Sequence, residues 1–209
     1  MTRTQRVKEI RRRIEDGSLL ADLFFDQLFS PKVKALSGRH WTSCEIAIRA
    51  ARLLGEKESD RVLDIGSGAG KFCVIGALSS PAKFFGAEIR KPLYQASLKL
   101  REDFDLEKRV EFFEGDALAL DWSPYNAFYL FNPFYEHIAS TVRMEPALEF
   151  GMNKFEQYVR GVQAKLRAAP LGTKVAIFHG FGGGIPQGYR RVLREATGSD
   201  FLDLWIKKQ

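Results

Sequence analysis

The sequence is poor in the residues and segments that mark metal-binding, disulfide-rich and membrane proteins. Its 209 residues include only two cysteines, Cys44 and Cys73, which stand alone without the spacing of metal ligands. We therefore expect no metal site and a reducing environment. No run of about 18 apolar residues is present, and the N-terminus lacks an apolar segment typical of a signal peptide. These absences predict a cytoplasmic protein that does not act at a membrane, and they leave its oligomeric state open.

The residues that are present suit a globular chain, with 45% hydrophobic and 28% charged residues. A chain of this length can bury a large core without disulfides or metals. We expect residues 41–209 to form one domain. Residues 1–40 should form a helical N-terminal cap, because the large apolar side chains within residues 19–29 need a surface to cover them.

The net charge of +6 is concentrated at the N-terminus, where residues 1–13 carry six basic residues and only one acidic residue. Such a basic arm could contact phosphate groups or an acidic partner. It could also be a solvated helix face, since Val7, Ile10 and Ile14 recur at helical spacing between the charges. The sequence alone does not decide between a basic binding arm and a solvated helix face.

Beyond residue 41, short apolar segments alternate with segments of helical period. Strands are predicted at residues 61–65, 83–87, 110–113, 127–131 and 174–179. Helices are predicted at 72–78, 92–104 and 145–168, and a further helix ends at Gly55 after a capping box formed by Thr42 and Glu45. This alternation predicts an α/β fold with a doubly wound, mostly parallel sheet that has helices on both faces.

The C-terminal segment allows two interpretations. Residues 201–206 have the composition of a strand. Residues 189–196 can pair with them through a turn at Gly198 and Ser199, or form a helix, because their apolar residues share one helical face. Only 28 residues follow Phe181, which leaves little room for a full helix and two strands. This length favours the hairpin by a small margin.

A glycine-rich turn (residues 64–70, DIGSGAG) follows the first predicted strand. The dinucleotide fingerprint requires Gly-x-Gly-x-x-Gly, but here the third glycine, Gly70, comes one position early. Asp64 also precedes Gly66 by two positions, where a carboxylate would repel a pyrophosphate. S-adenosylmethionine carries an ammonium and a sulfonium and no phosphate, so the acidic glycine loop suits it better than a dinucleotide.

Two further carboxylates follow the next two strands. Glu88 lies 22 positions after Gly66, where a carboxylate binds ribose hydroxyls in dinucleotide and S-adenosylmethionine enzymes alike. Asp116 is placed to accept a hydrogen bond from an adenine amino group, with a helix cap as the alternative. Open parallel sheets bind ligands at the carboxyl ends of their strands, so the three acids predict one site.

Residues 62–72 resemble the cofactor loop of the class I, seven-strand methyltransferases, and Glu88 and residues 115–117 resemble later motifs of that family. The resemblance covers roughly residues 40–209. It implies a seven-stranded sheet with one antiparallel strand near the C-terminus, and S-adenosylmethionine as methyl donor with S-adenosylhomocysteine as product. The cofactor-binding residues that it implies are Trp41, Thr42, Asp64, Gly66, Ser67, Gly68, Gly70, Glu88, Asp116, Ala117 and Asn132.

The fourth motif, residues 132–136 (NPFYE), bears on the acceptor. It partly resembles the Asn/Asp-Pro-Pro-Tyr/Phe motif of amino-group methyltransferases but lacks the second proline. It is also similar to the Asn-x-Phe segment of the non-SET histone-lysine methyltransferases and their small prokaryotic relatives. We therefore predict Asn132 and Phe134 as catalytic residues, Asn132 by accepting a hydrogen bond from the acceptor nitrogen. A strand-end turn and core packing are the alternatives.

These patterns favour methylation of a protein side chain or another amine. An RNA- or tRNA-directed methyltransferase, or a nucleic-acid-binding protein that uses the basic N-terminus, is the first alternative. An NAD-dependent oxidoreductase is disfavoured by the glycine spacing. His137 and His179 are candidate bases or ordinary loop histidines.

Overall fold

The computed structural model describes residues 1–34, 41–131, 152–197 and 200–209, and of residues 152–154 it describes the backbone alone. Its seven strands are β1 (Arg61–Ile65), β2 (Lys83–Glu88), β3 (Val110–Glu114), β4 (Ala127–Phe131), β5 (Lys174–Phe178), β6 (Tyr189–Thr197) and β7 (Asp200–Lys207). The helices are α1 (Arg3–Glu15), α2 (Asp22–Asp26), α3 (Pro31–Lys34), α4 (Cys44–Leu54), α5 (Lys71–Ser79), α6 (Lys91–Asp103) and α7 (Met152–Ala168). Within these ranges, no helix has the length and apolar character needed to cross a membrane.

The strands form one sheet in the order β3-β2-β1-β4-β5-β7-β6. Strands β1 to β5 pair in parallel, whereas β7 runs antiparallel to both of its neighbours. The strand order reverses between β1 and β4, and open α/β sheets bind ligands at such a reversal. The prediction of a mostly parallel, seven-stranded sheet with one antiparallel strand near the C-terminus is confirmed.

Helices cover both faces of the sheet. On one face, α4, α5 and α6 pack on the sheet through small and aliphatic side chains such as Ala50, Ile75 and Leu100, which are fully buried. On the other face, α7 packs Val162 and Leu166 into a second buried cluster. The parallel strands are therefore apolar on both faces, which is why they read as short continuous apolar segments in the sequence.

The C-terminal segment forms the hairpin of β6 and β7, so the favoured interpretation of residues 189–196 as a strand is confirmed. The two strands are antiparallel, with Arg191 opposite Trp205 and an irregularity between Arg191 and Leu193. The predicted turn at Gly198 and Ser199 lies outside the described residues. The predicted helix 145–168 is described only from residue 152.

The predicted capping box before α4 is wrong. Ser43 is the N-cap residue, and its hydroxyl accepts a hydrogen bond from the backbone N–H of Ile46. The hydroxyl of Thr42 instead forms a 2.8 Å hydrogen bond with the buried hydroxyl of Tyr129 on β4. Burial of Tyr129 requires a polar partner for its hydroxyl, and Thr42 supplies one.

The N-terminal helices pack on the main sheet. Helix α1 buries Val7, Ile10 and Ile14 in the same core as α5. Phe25 of α2 is fully buried beside Phe104, with ring centroids 6.3 Å apart. Whether residues 1–40 form a separate unit stays a prediction.

The arginines of α1 make contacts within the chain. Arg3 forms an ion pair with Asp103, and Arg11 donates to the backbone carbonyl of Phe104. Arg12 and Arg13 both pair with Glu9. These contacts favour the interpretation of α1 as a packed helix with a solvated basic face over that of a free basic arm.

A buried ion pair joins the N-terminal helices to the glycine loop. Lys71 directly follows the loop, and its side chain is 5% exposed. Its ammonium lies 2.7 Å from Oδ1 of Asp22 and 2.8 Å from Oδ1 of Asp26, which is itself buried. Asp22 also accepts a hydrogen bond from the backbone N–H of Cys44. One cation therefore connects α2, the start of α4 and the start of α5.

Replacing Asp26 with alanine should destabilise the protein strongly, because the buried ammonium of Lys71 would lose its buried partner. Removal of one member of a buried ion pair costs about 3–5 kcal/mol. Asp22→Ala is the matched comparison and should cost less, since the Asp22 side chain is 44% exposed. Urea denaturation measures both free energies of unfolding. Equal losses in the two variants would contradict this role of Asp26.

Candidate functional site

The candidate site is a cleft at the carboxyl ends of β1, β2 and β4, where the strand order reverses. The predicted site residues that line it are Trp41, Thr42, Asp64, Gly66, Ser67 and Gly68. The remaining lining residues are Ala69, Lys71, Phe72, Arg90, Tyr129 and Phe131.

The glycine loop depends on backbone conformations that favour glycine. Gly66, Gly68 and Gly70 have φ angles of +77°, +55° and +81°. A Cβ on Gly70 would lie 2.6 Å from Phe112 Cζ and 2.8 Å from Ser97 Cβ. Gly70 therefore lets α5 begin close to the sheet and does not itself line the cleft.

Glu88 anchors the glycine loop from β2. Its buried carboxylate accepts a 2.8 Å hydrogen bond from the backbone N–H of Gly68. It also accepts bonds from the backbone N–H and two guanidinium nitrogens of Arg90, at 2.7 to 2.9 Å. A carboxylate offers about four lone-pair positions, and protein donors occupy four here. Ribose hydroxyls would bind Glu88 only if some of these bonds are exchanged.

Asp64 is a buried carboxyl group in the wall of the cleft. Its carboxyl group contacts the thiol of Cys73, with Sγ 3.8 Å from Oδ2. Burial, together with the negative charge of Glu88, raises the pKa of Asp64 to about 8. Among the described residues no cation lies within ion-pair distance of it, so a positively charged ligand is the group that would stabilise its charged form.

Two buried polar atoms at the cleft have no hydrogen-bond partner among the described residues. They are Nε1 of Trp41 and Oγ of Ser67. Nε1 of Trp41 is close to the loop, since a Cβ on Gly68 would lie 3.4 Å from it. Buried polar atoms are rarely left unpaired, so both are candidate contacts for a polar ligand.

Aromatic rings also line the cleft. Tyr129 stacks on Phe72 with centroids 3.9 Å apart, and Trp41 meets Phe29 edge to face. Tyr129 lies opposite Asp64 in the pairing of β1 with β4. The sequence analysis did not predict Tyr129 as a site residue, because its position opposite Asp64 follows from how the two strands pair in the sheet.

Asp116 acts as a cap in this structure. Its carboxylate accepts a hydrogen bond from the backbone N–H of Leu118 and, at 3.2 Å, from the hydroxyl of Tyr158. Neither Asp116 nor Ala117 lines the cleft. The two predicted catalytic residues, Asn132 and Phe134, lie outside the described residues, and their roles stay predictions.

Arg90 is another cleft residue that sequence reasoning missed. It contributes a cation beside the glycine loop, but Glu88 pairs with it through both carboxylate oxygens. The feature of the sequence that could have indicated Arg90 is a basic residue two positions after a predicted ligand-binding acid. Such a residue can reach back to the carboxylate across the turn that follows the strand.

Replacing Asp64 with asparagine should stabilise the ligand-free protein at alkaline pH. The pKa of Asp64 is about 8 in the folded state, against about 3.9 for an unfolded chain. Between these values the folded state holds a proton that the unfolded state has released, so wild-type stability should fall as the pH rises from about 4 to about 8. Asp64→Asn should therefore gain a few kcal/mol relative to wild type across this interval.

Urea denaturation at several pH values measures this gain, and Asp121→Asn is the control. Hydrogen bonds from Ser123 lower the pKa of Asp121, so its stabilising effect is already complete above the ordinary pKa of aspartate. The difference between Asp121→Asn and wild type should stay constant from about pH 5 to about pH 9. A constant difference for Asp64→Asn as well would contradict the raised pKa of Asp64.

No protein-family model matches this sequence, and no curated protein matches it. Solved structures with a similar fold do exist. An RNA methyltransferase from Salinibacter ruber in complex with S-adenosyl-L-homocysteine aligns with a TM-score of 0.58 at 20% identity, covering 81% of this chain and 94% of its own. TrmN from Thermus thermophilus aligns with a TM-score of 0.60 at 17% identity, covering 85% of this chain and 52% of its own.

A third similar structure is a putative rRNA methylase from Clostridium thermocellum. It aligns with a TM-score of 0.55 at 14% identity, covering 78% of this chain and 96% of its own. At these identities the likeness establishes a shared architecture. The chain has the Rossmann-like, seven-stranded fold seen in these structures.

Proposed function

We propose that the protein is an S-adenosylmethionine-dependent methyltransferase. The observation that carries this proposal is the buried carboxyl group of Asp64, which lies in the wall of the cleft, immediately before the glycine loop, with no cation of the described residues within ion-pair distance. A ligand that brings positive charge to this position would stabilise the carboxylate. S-adenosylmethionine does so through its ammonium and sulfonium groups.

The other residues in and beside the cleft fit the same cofactor. Gly66 and Gly68 let the backbone of the loop come close to a ligand. Trp41 Nε1 and Ser67 Oγ offer the polar atoms that lack partners. Glu88 is the proposed ribose ligand, with its bonds to Arg90 exchanged on binding. When bound, S-adenosylmethionine supplies a methyl group activated by its sulfonium, and the protein holds and orients the two reactants.

A dinucleotide fits this cleft less well. Two acids, Asp64 and Glu88, lie at the glycine loop, and the charge of Arg90 is already matched by Glu88. A pyrophosphate would therefore find no available cation at the loop, and its negative charge would further disfavour the charged form of Asp64. The glycine spacing favours the same conclusion.

For the acceptor we propose RNA. Two of the similar structures above are named as an RNA methyltransferase and a putative rRNA methylase, and this supports RNA over a protein side chain or another amine as the first acceptor to test. The comparisons lend no support to the histone-lysine type suggested by residues 132–134. The proposal does not require the α1 arginines, which contact the protein itself. Asn132 and Phe134 remain the proposed contacts of the acceptor.

Replacing Asp64 or Glu88 with alanine should abolish binding of S-adenosylmethionine. Asp64→Ala removes the proposed partner of the cationic groups, and Glu88→Ala removes the ribose ligand and the anchor of the Gly68 backbone. Isothermal titration calorimetry measures the affinity, with NADH titrated alongside and thermal denaturation to confirm folding. Asp121→Ala is the control. Asp121 lies at an exposed turn and does not line the cleft, so this variant should bind S-adenosylmethionine like wild type.

Unchanged affinity in Glu88→Ala would overturn the site assignment, and binding of NADH alone would favour an oxidoreductase.

Proton release on cofactor binding offers a further readout that needs no methyl acceptor. Because the pKa of Asp64 is about 8, a cationic ligand that binds near pH 7 should displace its proton, and affinity should rise with pH up to about 8. Titrations in buffers of different ionisation enthalpy should show this release in wild type and not in Asp64→Asn.

Methyl transfer should label RNA. Purified protein and S-adenosylmethionine with a labelled methyl group are incubated with cell lysate that is then treated with protease, with RNase or with neither. Loss of the label after RNase supports RNA as the acceptor, whereas loss after protease means that a protein is methylated.

Asn132→Ala should bind the cofactor like wild type and lose turnover, and wild-type turnover in this variant would contradict the role of Asn132.

A further inference from the structure

A histidine and an aspartate lie together at the carboxyl end of β5. Nδ1 of His179 is 3.0 Å from Oδ2 of Asp200. The two residues are brought together by the antiparallel pairing of β5 with β7, in which Phe178 lies opposite Leu202. They are 21 positions apart in the sequence, and no local pattern predicts the contact.

The backbone at this position is unusual. His179 has a φ angle of +58°, and Asp105 is the only other described residue besides glycine with a positive φ. Such conformations cost free energy, and they concentrate at functional sites. Gly180 follows with a φ of +69°, so the chain turns sharply directly after β5. This turn determines where the imidazole lies.

The imidazole lies beside the candidate cleft. Its ring centroid is 5.6 Å from that of Phe131, which lines the cleft, and Phe131 in turn stacks on Phe178. The His179 side chain is 33% exposed. It is therefore positioned at the cleft edge and accessible from solvent, on the side where β4 and β5 end.

The pairing with Asp200 defines the chemistry that His179 can perform. Because Nδ1 of His179 lies beside the carboxylate of Asp200, Nε2 is the ring nitrogen that would exchange a proton with an acceptor. A histidine with an orienting acid at a ligand-binding edge has the geometry of a general base.

We propose that His179 is the general base of the methyl transfer and that Asp200 positions it. This inference rests on the proposed function. In the step, the bond between the methyl carbon and the sulfonium sulfur breaks, and its electron pair stays on sulfur. The acceptor atom forms the new bond to carbon, its proton moves to Nε2 of His179, and solvent later removes that proton.

The acceptor class follows from this role. A base is useful only where the acceptor atom carries a proton that must leave, as in an amine, an amide-like ring N–H or a hydroxyl group. An acceptor nitrogen without a proton would gain nothing from His179. Within RNA, the proposal therefore selects protonated positions, either on a base or on a ribose.

The test compares His179→Gly with His179→Asn, because both residues tolerate the positive φ of this position. Each variant should bind S-adenosylmethionine like wild type and lose about 100-fold to 10,000-fold in single-turnover rate. Added imidazole should restore turnover in His179→Gly, where the side chain is missing, and not in His179→Asn. A purely structural role would give no such rescue.

Asp200→Asn tests the positioning residue and should lower the rate of transfer while leaving cofactor affinity unchanged. Asp203→Asn is its matched control, since Asp203 lies on the same strand but contacts Arg191 and Arg194. Wild-type rates in both His179 variants, or a loss without imidazole rescue in His179→Gly, would overturn this inference alone. Failure of wild type to bind S-adenosylmethionine would instead overturn the proposed function, and the inference would fall with it.

Discussion

The buried ammonium of Lys71 is the interaction on which the arrangement of the site depends. Lys71 begins α5 directly after the glycine loop, in a position that is almost fully covered by protein. An unpaired charge there would be very unfavourable, so the carboxylates of Asp22 and Asp26 must be present. The N-terminal helices thus supply charge as well as apolar cover, and they are coupled energetically to the loop that lines the cleft.

The second constraint is the balance of charge at the loop itself. Glu88 has its lone pairs taken up by Gly68 and Arg90, whereas Asp64 has only a thiol as a described polar contact. The two acids lie close enough for Glu88 to raise the pKa of Asp64. Together they create a place where added positive charge is favourable. This links the packing of β1 and β2 directly to the class of ligand that the cleft suits.

The C-terminal hairpin completes the binding edge of the sheet. Because β7 runs antiparallel to β5, its first residue returns to the edge where the parallel strands end. Asp200 therefore reaches His179, and Phe131 connects this pair to the cleft. The parallel strands end mainly in apolar and acidic side chains at this edge. The antiparallel strand adds Asp200, which pairs with His179 there.

The sequence by itself determined the alternation of strands and helices, the glycine loop and the acids that follow successive strands. These features are local: strands buried on both faces must be apolar throughout, and the positive φ angles of the loop favour glycine. Tertiary structure alone decided which partners the polar groups have. Thr42 bonds to Tyr129 rather than capping α4, Glu88 is engaged by Arg90, and His179 meets Asp200. Such contacts depend on how distant segments pack in space, and neither periodicity nor spacing carries that information.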